Sequence, residues 1–146
     1  MAGPVVPSVT VAARMPFNLP NAGDNGFDGL YGLDLIELSE ELARGRVLVR
    51  AELMQKPGVV HSGVYVAIAQ ALALSGTAFG VDKDGKFAAV LSDQTSYLRP
   101  ISEGAIHARA VRKHRGRTTW VWEVEIVDDA GRLCALTRAT VSVRLP

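Results

Sequence analysis

The stretch Pro57-Gly58-Val59-Val60-His61-Ser62-Gly63-Val64-Tyr65-Val66-Ala67-Ile68-Ala69-Gln70 joins a Gly-punctuated turn, a polar helix start and one lone amide on a helix that is otherwise apolar. Over residues 64–81 the only polar interruptions are Gln70, Ser75 and Thr77, with Gly76 and Gly80 as small ones. A helix that is apolar all round lies either in a protein core or in a membrane. A span needs about 20 uninterrupted apolar residues. Here an amide, a hydroxyl and two glycines break the run, and no basic flank orients it. The helix is therefore expected inside a fold, with no membrane partner.

What covers the helix follows from its surroundings. Residues 32–38 and 46–53 read as two strands joined across 40–45, where repeated polar residues suit a turn. Beyond the helix, runs at 87–98, 105–113, 118–127 and 132–144 read as four strands. The connections Ser102-Glu103-Gly104, Arg115-Gly116-Arg117 and Asp128-Asp129-Ala130-Gly131 between them have hairpin composition. In the third run Trp120, Trp122, Val124 and Ile126 fall on one face, while Thr119, Glu123 and Glu125 fall on the other; Val121 is the exception. One face is covered and the other is wet. With no second helix to share the burial, the sheet has to wrap the one helix, an α+β architecture. Gln70 is then left inside, needing a hydrogen-bond partner or a ligand.

The chain has 146 residues, 48% hydrophobic and 21% charged, which suits one globular domain with a substantial core. Pro4, Pro7, Pro16 and Pro20 exclude a long helix near the start, so residues 1–28 read as an irregular arm and 29–146 as the domain. A net charge of +1 gives no global reason to expect nucleic acid or an anionic membrane surface. Cys134 is the only cysteine and reads as a buried strand side chain. Residues 1–25 show no basic start followed by an apolar core, so a cytoplasmic, reducing setting is expected. His61, His107 and His114 lack the spacing and company of a metal cluster, and no Gly-rich nucleotide loop is present.

Three segments resemble one family. They are Gln55 with Gly58-Val59-Val60-His61-Ser62-Gly63-Val64-Tyr65, then Thr95-Ser96-Tyr97-Leu98-Arg99-Pro100, then Thr118-Thr119-Trp120 with Asp128-Asp129-Ala130-Gly131-Arg132-Leu133-Cys134-Ala135. Together they resemble the hotdog-fold acyl-CoA thioesterases of the phenylacetate-pathway and 4-hydroxybenzoyl-CoA type. The resemblance implies a sheet wrapped around one helix, thioester hydrolysis of an aromatic or compact acyl-CoA, and no cofactor beyond the CoA of the substrate. In that family a backbone N–H at the helix start polarises the thioester carbonyl, and a helix carboxylate two turns later is nucleophile or general base. Those places fall here on Ser62 and Gln70, where the family has Gly and Glu or Asp; the neighbouring family threonine is Leu74.

The chemistry of these positions sets the expectations. Unpaired N–H groups at a helix start favour an oxygen that gains negative charge, and residues 61–64, Gly63 among them, are expected to supply them. The Ser62 hydroxyl also reads as a helix cap; as a nucleophile it lacks a base, because its neighbour His61 does not face it. Gln70 can orient a water or a carbonyl but cannot take a proton. Asp93 is either a relocated carboxylate or a charge on a wet strand face. Gln55 is expected near the mouth, polarising the thioester, or as a solvated loop amide. The run Arg109, Arg112, Lys113, Arg115 and Arg117 suits CoA phosphates or a solvated hairpin equally. By resemblance, Arg99, Arg117, Thr118 and Thr119 map near the CoA.

Ser62 and Gln70 are eight residues apart, about 12 Å along a helix. One chain does not easily bring both to one carbonyl, so a homodimer with helices antiparallel across a twofold axis is expected, paired again into a tetramer in the resembling enzymes. The alternative expectation is a hotdog protein that binds an acyl-CoA, an acyl carrier or a small ligand without hydrolysing it, or that performs another reaction there.

Overall fold

The computed structural model describes residues 26–146, and its strands close around the apolar helix as that helix's composition demands. A one-turn helix α1 (Phe27–Leu30) leads into β1 (Asp34–Leu38) and β2 (Leu42–Leu48). A short 3-10 turn and a two-residue ribbon, β3 (Met54–Gln55) with β4 (Val59–Val60), deliver the chain to α2 (Ser62–Val81). Four long strands follow: β5 (Phe87–Tyr97), β6 (Ala105–Arg115), β7 (Thr119–Val127) and β8 (Leu133–Arg144). The main sheet is antiparallel throughout, in the order β1-β2-β6-β7-β8-β5, so β1 and β5 are its edges. Helix α1 straddles the expected boundary at residue 28, and the rest of the expected arm lies outside the described residues.

Helix α2 is long and apolar enough to cross a membrane by length and composition, and 61% of its most apolar window is buried inside this fold. Ile68 and Leu72 are fully buried against Val47, Ile106, Val124, Ile126 and Val141 of the sheet. Each such side chain contributes about 1.5–3 kcal/mol on leaving water. The closest approach is at two glycines one turn apart. A Cβ on Gly76 would lie 2.4 Å from the Trp122 ring, and one on Gly80 2.5 Å from the Trp120 ring. The absence of side chains there lets two adjacent inward tryptophans of β7 reach the helix backbone. Thr77 locks the contact, accepting from Trp122 Nε1 at 2.8 Å and donating to the Ala73 carbonyl at 2.9 Å. This satisfies the two polar groups that the wrapping buries.

The strands beyond the helix lie where expected, and β7 alternates as read: Trp120, Trp122, Val124 and Ile126 are buried. The connection Ser102-Glu103-Gly104 is not the expected hairpin: β5 pairs with β8 at the sheet edge while β6 pairs with β2 and β7, so this segment crosses from one side of the sheet to the other. The first hairpin differs. β2 begins at Leu42 and occupies most of the expected turn, while the second expected strand ends in the 3-10 turn Ala51–Leu53. Ser39 makes the turn by accepting the N–H groups of Glu41 and Leu42 on its hydroxyl. Arg44, one of the polar residues that suggested a turn, belongs with Arg46 to the outward half of a period-2 strand whose inward half includes Ala43 and Val47. Their guanidinium groups pair with Glu37 and Asp34 of β1.

Cys134 is buried, its thiol donates to the Arg132 carbonyl at 3.2 Å, and burial raises its pKa. In the turn before it, Asp128 accepts the N–H groups of Ala130 and Arg132 and the Arg132 guanidinium. These donors, the Arg132 N–H first, hold the Asp128 carboxyl below the usual aspartate range.

Two outcomes follow. In an open helix Gly→Ala stabilises; Gly76→Ala is expected instead to destabilise by about 1–3 kcal/mol through overpacking against Trp122. A lowered urea midpoint is the reading that agrees, and an unchanged or raised midpoint disagrees. For Asp128, a depressed pKa means stability present at neutral pH and lost as pH falls through the folded-state value. Melting curves of wild type and Asp128→Asn are expected to differ at pH 7 and converge in acid; equal melting temperatures at pH 7 contradict the assignment.

Candidate active site

The start of α2 is held by the ribbon beneath it. The Val60 N–H donates to the Ile101 carbonyl at 2.8 Å, and the His61 N–H donates to the Leu53 carbonyl at 2.8 Å. The cap is His61 rather than the expected Ser62: its Nδ1 accepts the Gly63 N–H at 2.9 Å. The Val64 N–H donates to the His61 carbonyl at 3.0 Å. Of the four N–H groups expected to stabilise an oxyanion, those of His61, Gly63 and Val64 are therefore engaged. The Ser62 N–H has no partner among the described residues, and it sits at the positive end of a 20-residue helix. No base lies on the Ser62 hydroxyl either, since the His61 ring nitrogen nearest its own backbone is taken by Gly63. Ser62 thus offers a backbone donor and no activated nucleophile.

Gln70 lies two turns further along, on a half-buried stripe with Val66 and Leu74. Its Nε2 donates to Asp93 Oδ2 at 2.6 Å. The wet-face alternative for Asp93 is wrong for a register reason. Asp93 pairs across the ladder with Ala139, which is fully buried, and shares its face of β5 with Thr95 and Tyr97. The Thr95 hydroxyl hydrogen-bonds that of buried Thr137 at 2.8 Å, and the Tyr97 ring lies 6.3 Å from that of Tyr65. Tyr65 is buried on α2, which pushes its phenol pKa up, and its oxygen accepts the Ile101 N–H at 3.2 Å. Asp93 therefore faces the helix. The sequence signal for this is parity with Thr95 and Tyr97; the partnership with Gln70, across 23 residues, has no local signature.

Gln55 is exposed on β3, in the ribbon that carries the helix start. The expected CoA set is divided. Arg99 follows β5, its N–H donating to the Cys134 carbonyl, whereas Arg117, Thr118 and Thr119 lie at the β6–β7 hairpin. Tyr97 pairs with Ala135 and Thr119 with Ser142, seven residues apart on β8, so the two groups are about 23 Å apart along the sheet. Two cations of the basic run are structural. Arg112 and Arg115 stand 4.8 and 5.0 Å from the Trp120 ring centre, and Arg115 pairs with Glu40 at 2.8 Å. Arg109, Lys113 and Arg117 remain exposed.

A broad open trough on the outer face of the sheet pairs much of its polar lining internally, Arg44 with Glu37, Arg46 with Asp34, and His107 with Asp129 at 2.8 Å, and leaves Arg109 and Glu125 without an ion-pair partner among the described residues. No group of metal-ligating side chains exists among the described residues. The arrangement with unspent chemistry is the one along α2: a free N–H at its start, and an amide and a carboxylate on its half-buried side.

Comparison with known proteins points the same way. Residues 57–135 match the model of a family described as the thioesterase superfamily. A Mycobacterium tuberculosis protein named as an esterase is 36% identical over 111 residues, 75% of this chain and 79% of that one. Its solved structure aligns with a TM-score of 0.79 at 32% identity, covering 82% of this chain and 97% of that one. A solved thioesterase from Haemophilus influenzae aligns with a TM-score of 0.81 at 27% identity, covering 90% and 94%. A 1,4-dihydroxy-2-naphthoyl-CoA hydrolase from Listeria monocytogenes is 27% identical over 119 residues, 82% of this chain and 96% of its own.

Proposed function

This chain belongs to the thioesterase superfamily as a hotdog-fold thioester hydrolase, and we propose that its substrate is an acyl-CoA with an aromatic or otherwise compact acyl group. The observation that carries the reading is the unspent Ser62 N–H at the positive end of α2. A thioester carbonyl oxygen gains negative charge as water adds to it, and a fixed backbone donor stabilises that charge without reorganising. The compact acyl class is supported by the half-buried surface between Val66, Gln70 and Leu74 of α2 and the Tyr97 side of β5. It is supported also by the naphthoyl-CoA substrate in the name of the Listeria relative.

The working unit in this reading is a homodimer. Edge strand β5 carries exposed Phe87, Leu91 and Tyr97 and has one side unpaired among the described residues. A second copy joined there antiparallel sets the start of each α2 beside the partner's Gln70 and Asp93. It also brings Arg99 of one subunit to the end of the sheet where the partner contributes Arg117, Thr118 and Thr119, which closes the separation that one chain leaves. Gln55 then lies at the mouth of the acyl site. The chemistry calls for water alone and no resident cofactor, and a reducing cytoplasm suits the lone buried thiol. Pairing of two dimers into a tetramer is compatible with the outer sheet faces remaining free.

The test exploits geometry at residue 62. Proline fits the first position of a helix, where it removes only the N–H, and His61 (φ −59°, ψ 131°) has the extended backbone that a residue before proline needs. Steady-state hydrolysis over benzoyl-, phenylacetyl-, hydroxynaphthoyl- and long-chain acyl-CoA is expected to favour the compact aromatic esters. Ser62→Pro is expected to melt near the wild-type temperature while losing about 10²–10³-fold in kcat, with Ser62→Gly remaining active. Wild-type turnover by Ser62→Pro removes the oxyanion role. A preference for long chains overturns the acyl class.

A further inference from the structure

A half-buried carboxylate is costly unless something compensates it. Asp34, Glu37, Glu40, Glu41, Glu52 and Asp128 each have a Lys or Arg within salt-bridge distance, and Asp129 has His107. Asp28, Asp82, Asp84, Glu103, Glu123 and Glu125 have no ion-pair partner among the described residues, but none of them is bonded to a side chain of α2 as Asp93 is. Asp93 too has no cation partner among the described residues. Its one side-chain partner is the neutral amide of Gln70, and it faces an apolar helix from the inner side of an edge strand. Packing alone gives no reason for an aspartate here.

We propose that Asp93 is the catalytic carboxylate of this enzyme, the general base on the hydrolytic water, with Gln70 as the residue that positions it. The assignment deepens the hydrolase reading above and rests on it. Gln70 at the usual carboxylate place cannot accept a proton, yet it puts one within a single hydrogen-bond length of a group that can. Once Nε2 is spent on Asp93 Oδ2, two acceptors of the pair remain, Gln70 Oε1 and Asp93 Oδ1. No buried polar side-chain atom lacks a partner among the described residues, so these two oxygens stay open to solvent. A water that donates one hydrogen to each has both O–H bonds fixed and its lone pairs directed away from the pair, toward an acyl carbon.

The step balances with water as the only co-reactant. As the water oxygen bonds to the thioester carbon, one of its protons passes to the Asp93 carboxylate. The carbonyl electron pair moves onto oxygen, where the partner subunit's Ser62 N–H receives it. Collapse of the tetrahedral adduct breaks the carbon–sulfur bond, and the CoA sulfur leaves with the proton from Asp93. The products are the free acid and the thiol, and Asp93 is ionised again.

The experiment compares four purified full-length proteins on whichever panel ester the wild type turns over fastest. Asp93→Asn keeps an oxygen for the Gln70 amide, so it is expected to fold and melt like the wild type while losing about 10²–10⁴-fold in kcat with little change in KM. Gln70→Ala is expected to lose a smaller factor, again in kcat rather than KM. The exchange variant Gln70→Glu with Asp93→Asn returns a carboxylate to the helix side of the same pair and is expected to regain much of the lost rate. Asp93→Asn within about threefold of wild-type kcat, or an exchange variant no faster than Asp93→Asn alone, overturns the assignment. The acyl class is judged separately, by wild-type preference across the panel, so either idea can fail without the other.

Discussion

A helix without a polar face must be covered nearly all round, and here coverage depends on how closely two tryptophans approach its backbone. Gly76 and Gly80 form a smooth strip one turn apart, and Trp122 and Trp120 of β7 lie in it. That contact sets the distance between helix and sheet, and Thr77 removes the polar cost by taking the indole N–H. The central strands can then curl over the helix, and everything on α2 becomes a fixed position rather than a mobile one. The start of the helix, tied down by Leu53, Ile101 and His61, is fixed for the same reason.

Coverage stops at one place. Past β5 there is no further strand among the described residues, and the stripe of Val66, Gln70 and Leu74 is left half-buried beside an edge that carries exposed apolar side chains. The two chemically unspent features of the fold sit on this helix about 12 Å apart. A carbonyl with a donor on one side and a water on the other spans only about half that, at roughly 3 Å per contact. The rigidity that makes each feature dependable also prevents one chain from uniting them. Symmetry supplies the remedy, because a second copy across the edge brings the opposite ends of the two helices together. Charge follows the same division. The outer face of the sheet carries the ion pairs of Arg44 with Glu37 and Arg46 with Asp34, whereas among the described residues the inner face near the open stripe holds the Asp93 carboxylate beside the Gln70 amide.

Much of this was legible in the chain itself. The all-apolar run over 64–81 required wrapping, and the inward parity of Trp120, Trp122, Val124 and Ile126 showed which face of the sheet would do it. The two hairpins β6–β7 and β7–β8 were marked by their turn residues, whereas Ser102-Glu103-Gly104, with the same composition, joins β5 to β6 across the sheet. Ser62 and Gln70 were marked by their place at the start and two turns along the helix. What was not legible depended on contacts distant in sequence. The first half of β2 was obscured because Arg44 looks like a turn residue until Glu37 stands beside it. The cap fell on His61 because its ring, not the Ser62 hydroxyl, reaches the Gly63 N–H. Arg112 and Arg115 looked available to phosphates, but the Trp120 face and Glu40 occupy them. Asp93 looked solvated because a strand of mixed polarity hides which parity faces inward.

The claim on which the account turns is that each site draws its oxyanion donor from one copy and its carboxylate from the other. Subunit mixing tests it directly. Ser62→Pro and Asp93→Asn, each inactive alone, are unfolded together and refolded as an equimolar mixture. A heterodimer then contains one site with both defects and one with neither, so random pairing restores roughly a quarter of wild-type activity. Activity that stays at the level of the separate variants, with heterodimers demonstrably formed, places both groups in one chain and contradicts the account.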